Sequence, residues 1–221
     1  MPKYKDLTSI RFGIEIEAEF PNIKDSSNLV ERKSIIKGWT IDYDGSLDNG
    51  AEYKAKDSNK LYFNEESLLQ IKEIIALIKA HKGNVRPTCG LHIHVDISKF
   101  SNEELANIIK EFIKQQKKIL NDFKVLKSRR LSTACIIPKK VLKLITPESI
   151  KSLKKDAVID HVYFCDRYFM LNAKAIQDKK TLEFRFFNGT IMYRKIKGHI
   201  KWVLNFCLKY SKGSNKIGRG K

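Results

Sequence analysis

A chain of 221 residues, 42% hydrophobic and 10% aromatic, carries enough apolar material for a real core; this excludes a disordered chain and points to one domain, or one domain with an insertion. Lysine and arginine number 43 against 25 acidic residues, a net charge of +18, so contact with an anionic polymer, nucleotide or nucleic acid is expected, although no arginine–aromatic interleaving of the base-stacking kind is present. No apolar run approaches the roughly 20 residues of a membrane span, the stretch Met1 to Asp6 has no hydrophobic signal segment, and Cys89, Cys135, Cys165 and Cys207 form no Cys-x-x-Cys pair; a cytoplasmic protein with free thiols and no membrane partner is expected.

In chain order, Arg11 to Phe20 alternates with period two and reads as a strand, with Glu15, Glu17 and Glu19 on one face and Ile14, Ile16 and Ala18 on the other. Pro21 ends it. Trp39 to Asp44 reads as a second strand with Asp42 and Asp44 on one face. Turn signals at Gly45-Ser46 and Asp48-Asn49-Gly50 then lead into Ala51 to Ala55, the return arm of a hairpin that brings Glu52 close to Asp42 or Asp44. Asn64 to His81 is a helix with one broad apolar face, a cap at Asn64 or Ser67, acidic residues in its first turn and Gly83 at its stop.

Cys89-Gly90-Leu91-His92-Ile93-His94-Val95-Asp96 alternates again, placing His92, His94 and Asp96 in one row. Ser101-Asn102-Glu103-Glu104 is a capping-box start for a helix whose apolar stripe runs from Leu105 to Phe123. Residues 124–160 are basic and less regular; one or two short helices are expected there, one starting at Thr146-Pro147, as an insertion or lid. His161 to Ala175 reads as a further strand, and Thr181 to Phe187 as a clear one with Glu183 and Arg185 on the same face. A helix over about residues 194–210 closes the domain of residues 1–210, and the Gly-, Ser- and Lys-rich residues 211–221 read as a disordered basic tail. The pattern fits an α+β fold: an antiparallel sheet with helices on its apolar face and a polar concave face open to ligand.

Several carboxylates in rows cost free energy unless a cation lies among them. Glu15, Glu17, Glu52 and Glu183 with one imidazole, His92, favour a hard divalent ion, Mg²⁺ or Mn²⁺, over zinc, since no cysteine joins the set. Two such ions could organise phosphate oxygens, and Arg185, beside Glu183, could hold a phosphate. The same set would also serve a divalent-metal phosphoesterase or nuclease acting on nucleic acid. His81, His161 and His199 are read as structural, and Cys89 shows no pattern that would activate it as a nucleophile.

Phe12-Gly13-Ile14-Glu15-Ile16-Glu17, Asp44-Gly45-Ser46, Gly50-Ala51-Glu52, the Cys89 to Asp96 strand, Arg167 to Asn172 and Thr181 to Thr190, in that order, resemble the amidoligase family of the carboxylate–amine ligase superfamily, which includes glutamine synthetase and glutamate–cysteine ligase. The resemblance implies a glutamine-synthetase-like sheet and an ATP-dependent ligase that forms an amide or isopeptide bond through an acyl phosphate. It implies metal binding by Glu15, Glu17, Glu52, His92 and Glu183, with two or more Mg²⁺ or Mn²⁺ ions. It makes Arg185 and His94 phosphate contacts and catalytic groups, with Arg167 and Asn172 assisting the nucleotide. Asp44 would orient the amine or act as base, and Asp42 and Asn188 would contact substrate. The substrates implied are a carboxylate and an amine, as small molecules, peptides or polymer-linked groups. After Glu52 the chain departs from the family pattern with Tyr53-Lys54.

Overall fold

Alternation of charge and grease along Arg11–Glu19 (β1) makes it a strand that can be buried on both faces, and it is the strand around which the sheet is laid. The computed structural model describes residues 6–20, 38–43, 47, 50–55, 61–132, 134–155 and 166–212. Among them a seven-stranded sheet is formed by β1, β2 (Trp39–Tyr43), β3 (Gly50–Ala55), β4 (Leu61–Tyr62), β5 (Gly90–Asp96), β6 (Leu171–Asn172) and β7 (Thr181–Asn188), in the order β2-β3-β1-β5-β7-β6 with β4 also paired to β1. Every strand pairing in the sheet is antiparallel. Asp44, Cys165 and His161 lie outside the described residues, as do residues 213–221 of the basic tail.

Among the described residues six α-helices accompany the sheet: α1 (Glu65–Ala80), α2 (Asn102–Asp122), α3 (Lys127–Leu131), α4 (Pro147–Lys154), α5 (Ala175–Asp178) and α6 (Tyr193–Ser211). The capping signals read from the sequence act as expected. Asn64 caps α1, Ser101 and Glu104 close a capping box on α2, and Thr146 caps α4 with Pro147 in its first turn. The stop of α1 differs in detail: Lys82, not Gly83, takes the left-handed conformation (φ 59°). Gly83 is needed for space, because a Cβ there would lie 2.6 Å from the Phe20 ring.

The apolar face of the sheet and the helices form one core. Phe112 of α2 meets Phe184, Phe186 and Phe206 with ring centroids 5.6–5.8 Å apart. Val141, Ile145, Ile150 and Leu153, from the irregular basic stretch, are buried in the same core. The strand expected over residues 161–175 is confined, among the described residues, to Leu171–Asn172. Asp166 makes a turn just before it, its carboxylate accepting from the Tyr168 amide at 2.8 Å.

The sheet has one irregularity. Leu91 pairs with Phe187 and Ile93 with Phe184, so His92 faces two residues of β7, Arg185 and Phe186. This bulge shifts the phase of β7: Phe184, Phe186 and Phe187 are all buried, the last two with rings 4.0 Å apart, while Glu183 and Arg185 stay on the polar side.

Candidate functional site

The ends of the polar face are closed by ion pairs. At one end Arg11 holds Asp96, which also accepts from the Ser98 amide at 2.8 Å; at the other Glu19 takes the Thr88 hydroxyl at 2.7 Å and the Arg86 guanidinium at 3.0 Å. Between them β1, β5 and β7 bring Glu15, Glu17, His92, His94 and Glu183 together, each 5% exposed or less. The registers dictate this: Glu15 lies opposite His92, and His94 opposite Glu183.

Glu15 is the centre of the cluster. One of its oxygens lies 3.0 Å from Nδ1 of His92; the other lies 3.0 Å from Nε2 of His94 and 2.9 Å from Nζ of Lys179. Glu17 accepts the Gly90 amide at 2.5 Å and lies 3.2 Å from Nε2 of His92. Glu183 is held by Asn172, which donates at 2.6 Å, and by Arg185 at 2.8 Å, and lies 3.6 Å from His92. Nδ1 of His94 is engaged by the Thr181 hydroxyl at 3.0 Å. On β2 and β3, Lys54 bridges Asp42 (2.6 Å) and Glu52 (3.1 Å), which face each other in register.

The electrostatics follow from burial set against close charge. Burial opposes ionisation of Glu15, but His94 and His92 outweigh it and hold this carboxyl well below the usual range. Glu183 is likewise lowered, burial being overcome by His94, His92 and Arg185. His92 is raised: burial, with Arg185, disfavours its charge, and Glu17, Glu15 and Glu183 together outweigh them. Glu52 goes the other way, pushed up to about 7 by burial and by the charge on Glu15.

Nε2 of His92 and Nε2 of His94 are buried and make no hydrogen bond, although carboxylate oxygens lie beside them. Two groups of three donors converge, Glu15–His94–Glu183 and Glu15–Glu52–His92, with the donor atoms of each within 4.8 Å of one another. A buried imidazole nitrogen without a hydrogen bond, surrounded by carboxylates, has the chemistry of a site for a divalent cation. The set fits that group without cysteine. Glu17, expected as a ligand, belongs to neither triad, while His94, expected on the phosphate side, belongs to one.

A cavity of about 350 Å³ opens over this cluster. Glu15, Glu17, Glu52, His92, Arg167 and Arg185 line it, as the sequence reading places them together. Of the other expected residues, Asn172 stands behind Glu183 and Asp42 behind Lys54. Asn188 does not line the cavity; its amide accepts from the Leu126 amide and donates to the Lys124 carbonyl, both at 3.0 Å. Tyr43, Lys54, Thr88, Arg129, Tyr168 and Lys179 complete the lining and were not expected there. Tyr43 is next to Asp42 and so falls on the other face by alternation, whereas Lys54, two residues after Glu52, shares the face of Glu52 and pairs with it. Arg129 and Lys179 come from helical or loop segments that carry no period-two signal.

No helix among the described residues is long and apolar enough to cross a membrane. Residues 8–207 match the profile of a family described as "putative amidoligase enzyme", and the chain belongs to that family. Comparison with curated proteins gives no match.

Proposed function

We propose that this member of the amidoligase family is an ATP-dependent carboxylate–amine ligase whose site is the polar face of a glutamine-synthetase-like sheet. The observation that carries the reading is the buried cluster of Glu15, His92, His94 and Glu183, with two imidazole nitrogens that make no hydrogen bond turned among carboxylates and Arg185 at its edge. In this reading Glu15, Glu52, His92, His94 and Glu183 hold Mg²⁺ or Mn²⁺, with Glu17 supporting them through His92. Bound divalent ions would neutralise phosphate oxygens and orient them.

The chain's own residues supply the rest. Arg185 and Arg167 bind phosphate, Arg185 through paired hydrogen bonds that strengthen as charge builds on the transferring group. A substrate carboxylate oxygen attacks the γ-phosphorus of ATP, the bond to the bridging oxygen breaks, and ADP leaves with that electron pair. An amine then attacks the acyl carbon, inorganic phosphate leaves, and the amine gives up a proton to yield the amide. Asp44 is proposed to orient that amine, and Lys179, 2.9 Å from Glu15, to screen the cluster. A cytoplasmic setting would supply the ATP, and the net charge of +18 suits an anionic, polymer-linked substrate.

The test is ADP release with Mg²⁺ and ATP across panels of carboxylates and amines, with mass spectrometry of the product. The wild type is expected to couple ADP release to amide formation, and Glu15→Ala, His92→Ala and Glu183→Ala to lose it. Full activity in all three variants, or metal-dependent cleavage of nucleic acid without ATP, would overturn the reading.

A further inference from the structure

Arg129 lies on α3, where no sequence motif marks it, yet it is only 2% exposed and reaches the wall of the cavity. Its guanidinium makes two hydrogen bonds to backbone. Nη1 donates to the Thr88 carbonyl, just ahead of β5, and Nη2 donates to the Arg185 carbonyl, each at 3.1 Å. The Arg185 carbonyl belongs to the bulge of β7 opposite His92, where the ladder leaves backbone groups unpaired. The Arg185 amide is tied on the other side, to the Met170 carbonyl at 3.0 Å. Both backbone groups of Arg185 are thereby fixed, and its side chain is aimed across Glu183.

The surroundings are built to admit Arg129. A Cβ on Gly90 would lie 2.5 Å from Nη2 of Arg129 and 2.8 Å from Nε2 of His92, so only glycine leaves the guanidinium its place against β5. The entry to α3 is stitched to β7 itself through Asn188, which binds the backbone of Lys124 and Leu126. A residue needed only to fill space would not place a fork of donors on carbonyls of two separate segments, the turn before β5 and the bulge of β7. Lysine offers a point charge in place of that planar fork.

We infer that Arg129 is a positioning residue: it fixes the β7 bulge and so sets the direction in which Arg185 presents its guanidinium to the cavity. The consequence for phosphate rests on the ligase reading; the positioning itself does not. Arg129 therefore acts on the reaction through Arg185.

The test needs no ligand. The chain has nine arginines, so labelling with ¹⁵N-arginine gives a countable set of Nε–H resonances, with that of Arg185 assigned by Arg185→Lys, and added ¹⁵N-phenylalanine reports the Phe112 amide, assigned by Phe112→Leu. In the full-length protein, Nε of Arg185 is buried and its proton is expected to exchange slowly. In Arg129→Lys and Arg129→Met that exchange is expected to accelerate about ten-fold or more, while the Phe112 amide in the core of α2 changes less than about two-fold. Unchanged protection of Arg185 in the variants would overturn the inference, as would acceleration matched by Phe112, since that is general loosening. ADP release by the same proteins separates the two ideas: if Arg185 loosens but the wild type never consumes ATP, the positioning stands and the ligase reading fails.

Discussion

Glu52→Gln removes the one carboxylate of the cluster that burial and a neighbouring charge push up to about 7. A carboxyl held at about 7 when folded and at 4.5 when unfolded binds its proton more tightly in the folded state. Its contribution to stability is complete below about pH 4.5 and is lost as the pH rises through about 7. The full shift corresponds to about 3 kcal/mol at 1.36 kcal/mol per unit. Lys54, which keeps Asp42 at 2.6 Å in the variant, is already counted in that value, and the partial exposure of the Glu52 side chain discounts the figure to about 2 kcal/mol. In chelator, Glu52→Gln is therefore expected to gain about 2 kcal/mol over the wild type at pH 8, and no advantage at pH 4.5, by urea denaturation. Saturating Mn²⁺ at pH 8 should stabilise the wild type more than the variant, since a ligand that binds only the folded state adds stability in proportion to its affinity. Equal pH dependence of the two proteins in chelator would refute the assignment of the strained carboxyl to Glu52.

Phe112→Ala, which empties the centre of the aromatic cluster between α2, α6 and β7, should cost about 3–5 kcal/mol in the same denaturation experiment. His199, stacked on Phe187 at 4.4 Å, is lowered to about 4 by burial and by Lys195. The unfolded chain takes up its proton first on acidification, so stability should fall from about pH 6.5 to pH 4 by on the order of 2 kcal/mol, allowing for partial exposure, and His199→Leu should flatten that fall. Gly90→Ala should keep the fold yet weaken Mn²⁺ binding about ten-fold or more by calorimetry, because the new methyl crowds both His92 and Arg129.

Much of the site was legible because strand alternation is local. Glu15-x-Glu17, His92-x-His94 and Glu183-x-Arg185 each put their polar groups on one face with no knowledge of the rest of the chain, and one antiparallel sheet then brings the faces together. Asp96 was legible as the end of the same row, though not its hold on the Ser98 amide. The bulge was marked in the sequence by Arg185-Phe186-Phe187, where alternation gives way to two adjacent aromatics, but an aromatic pair does not say which strand it faces. Arg129 and Lys179 were not legible: they reach the cavity from a short helix and from the residues before β7, and their place depends on tertiary contacts with Arg185 and Glu15. Leu61–Tyr62 and Leu171–Asn172 are strands too short to show any period. Asn188 lies beside a motif yet outside the cavity lining, and its amide secures the turn into α3.

The most direct test of the central claim is anomalous diffraction from crystals of the full chain soaked in Mn²⁺ and a non-hydrolysable ATP analogue. Manganese is predicted among the side chains of Glu15, His92, His94 and Glu183, about 2.2 Å from at least one of the imidazole nitrogens that make no hydrogen bond, with the analogue's phosphates toward Arg185. Manganese bound elsewhere, or analogue phosphates on a surface remote from β1, β5 and β7, would contradict the account.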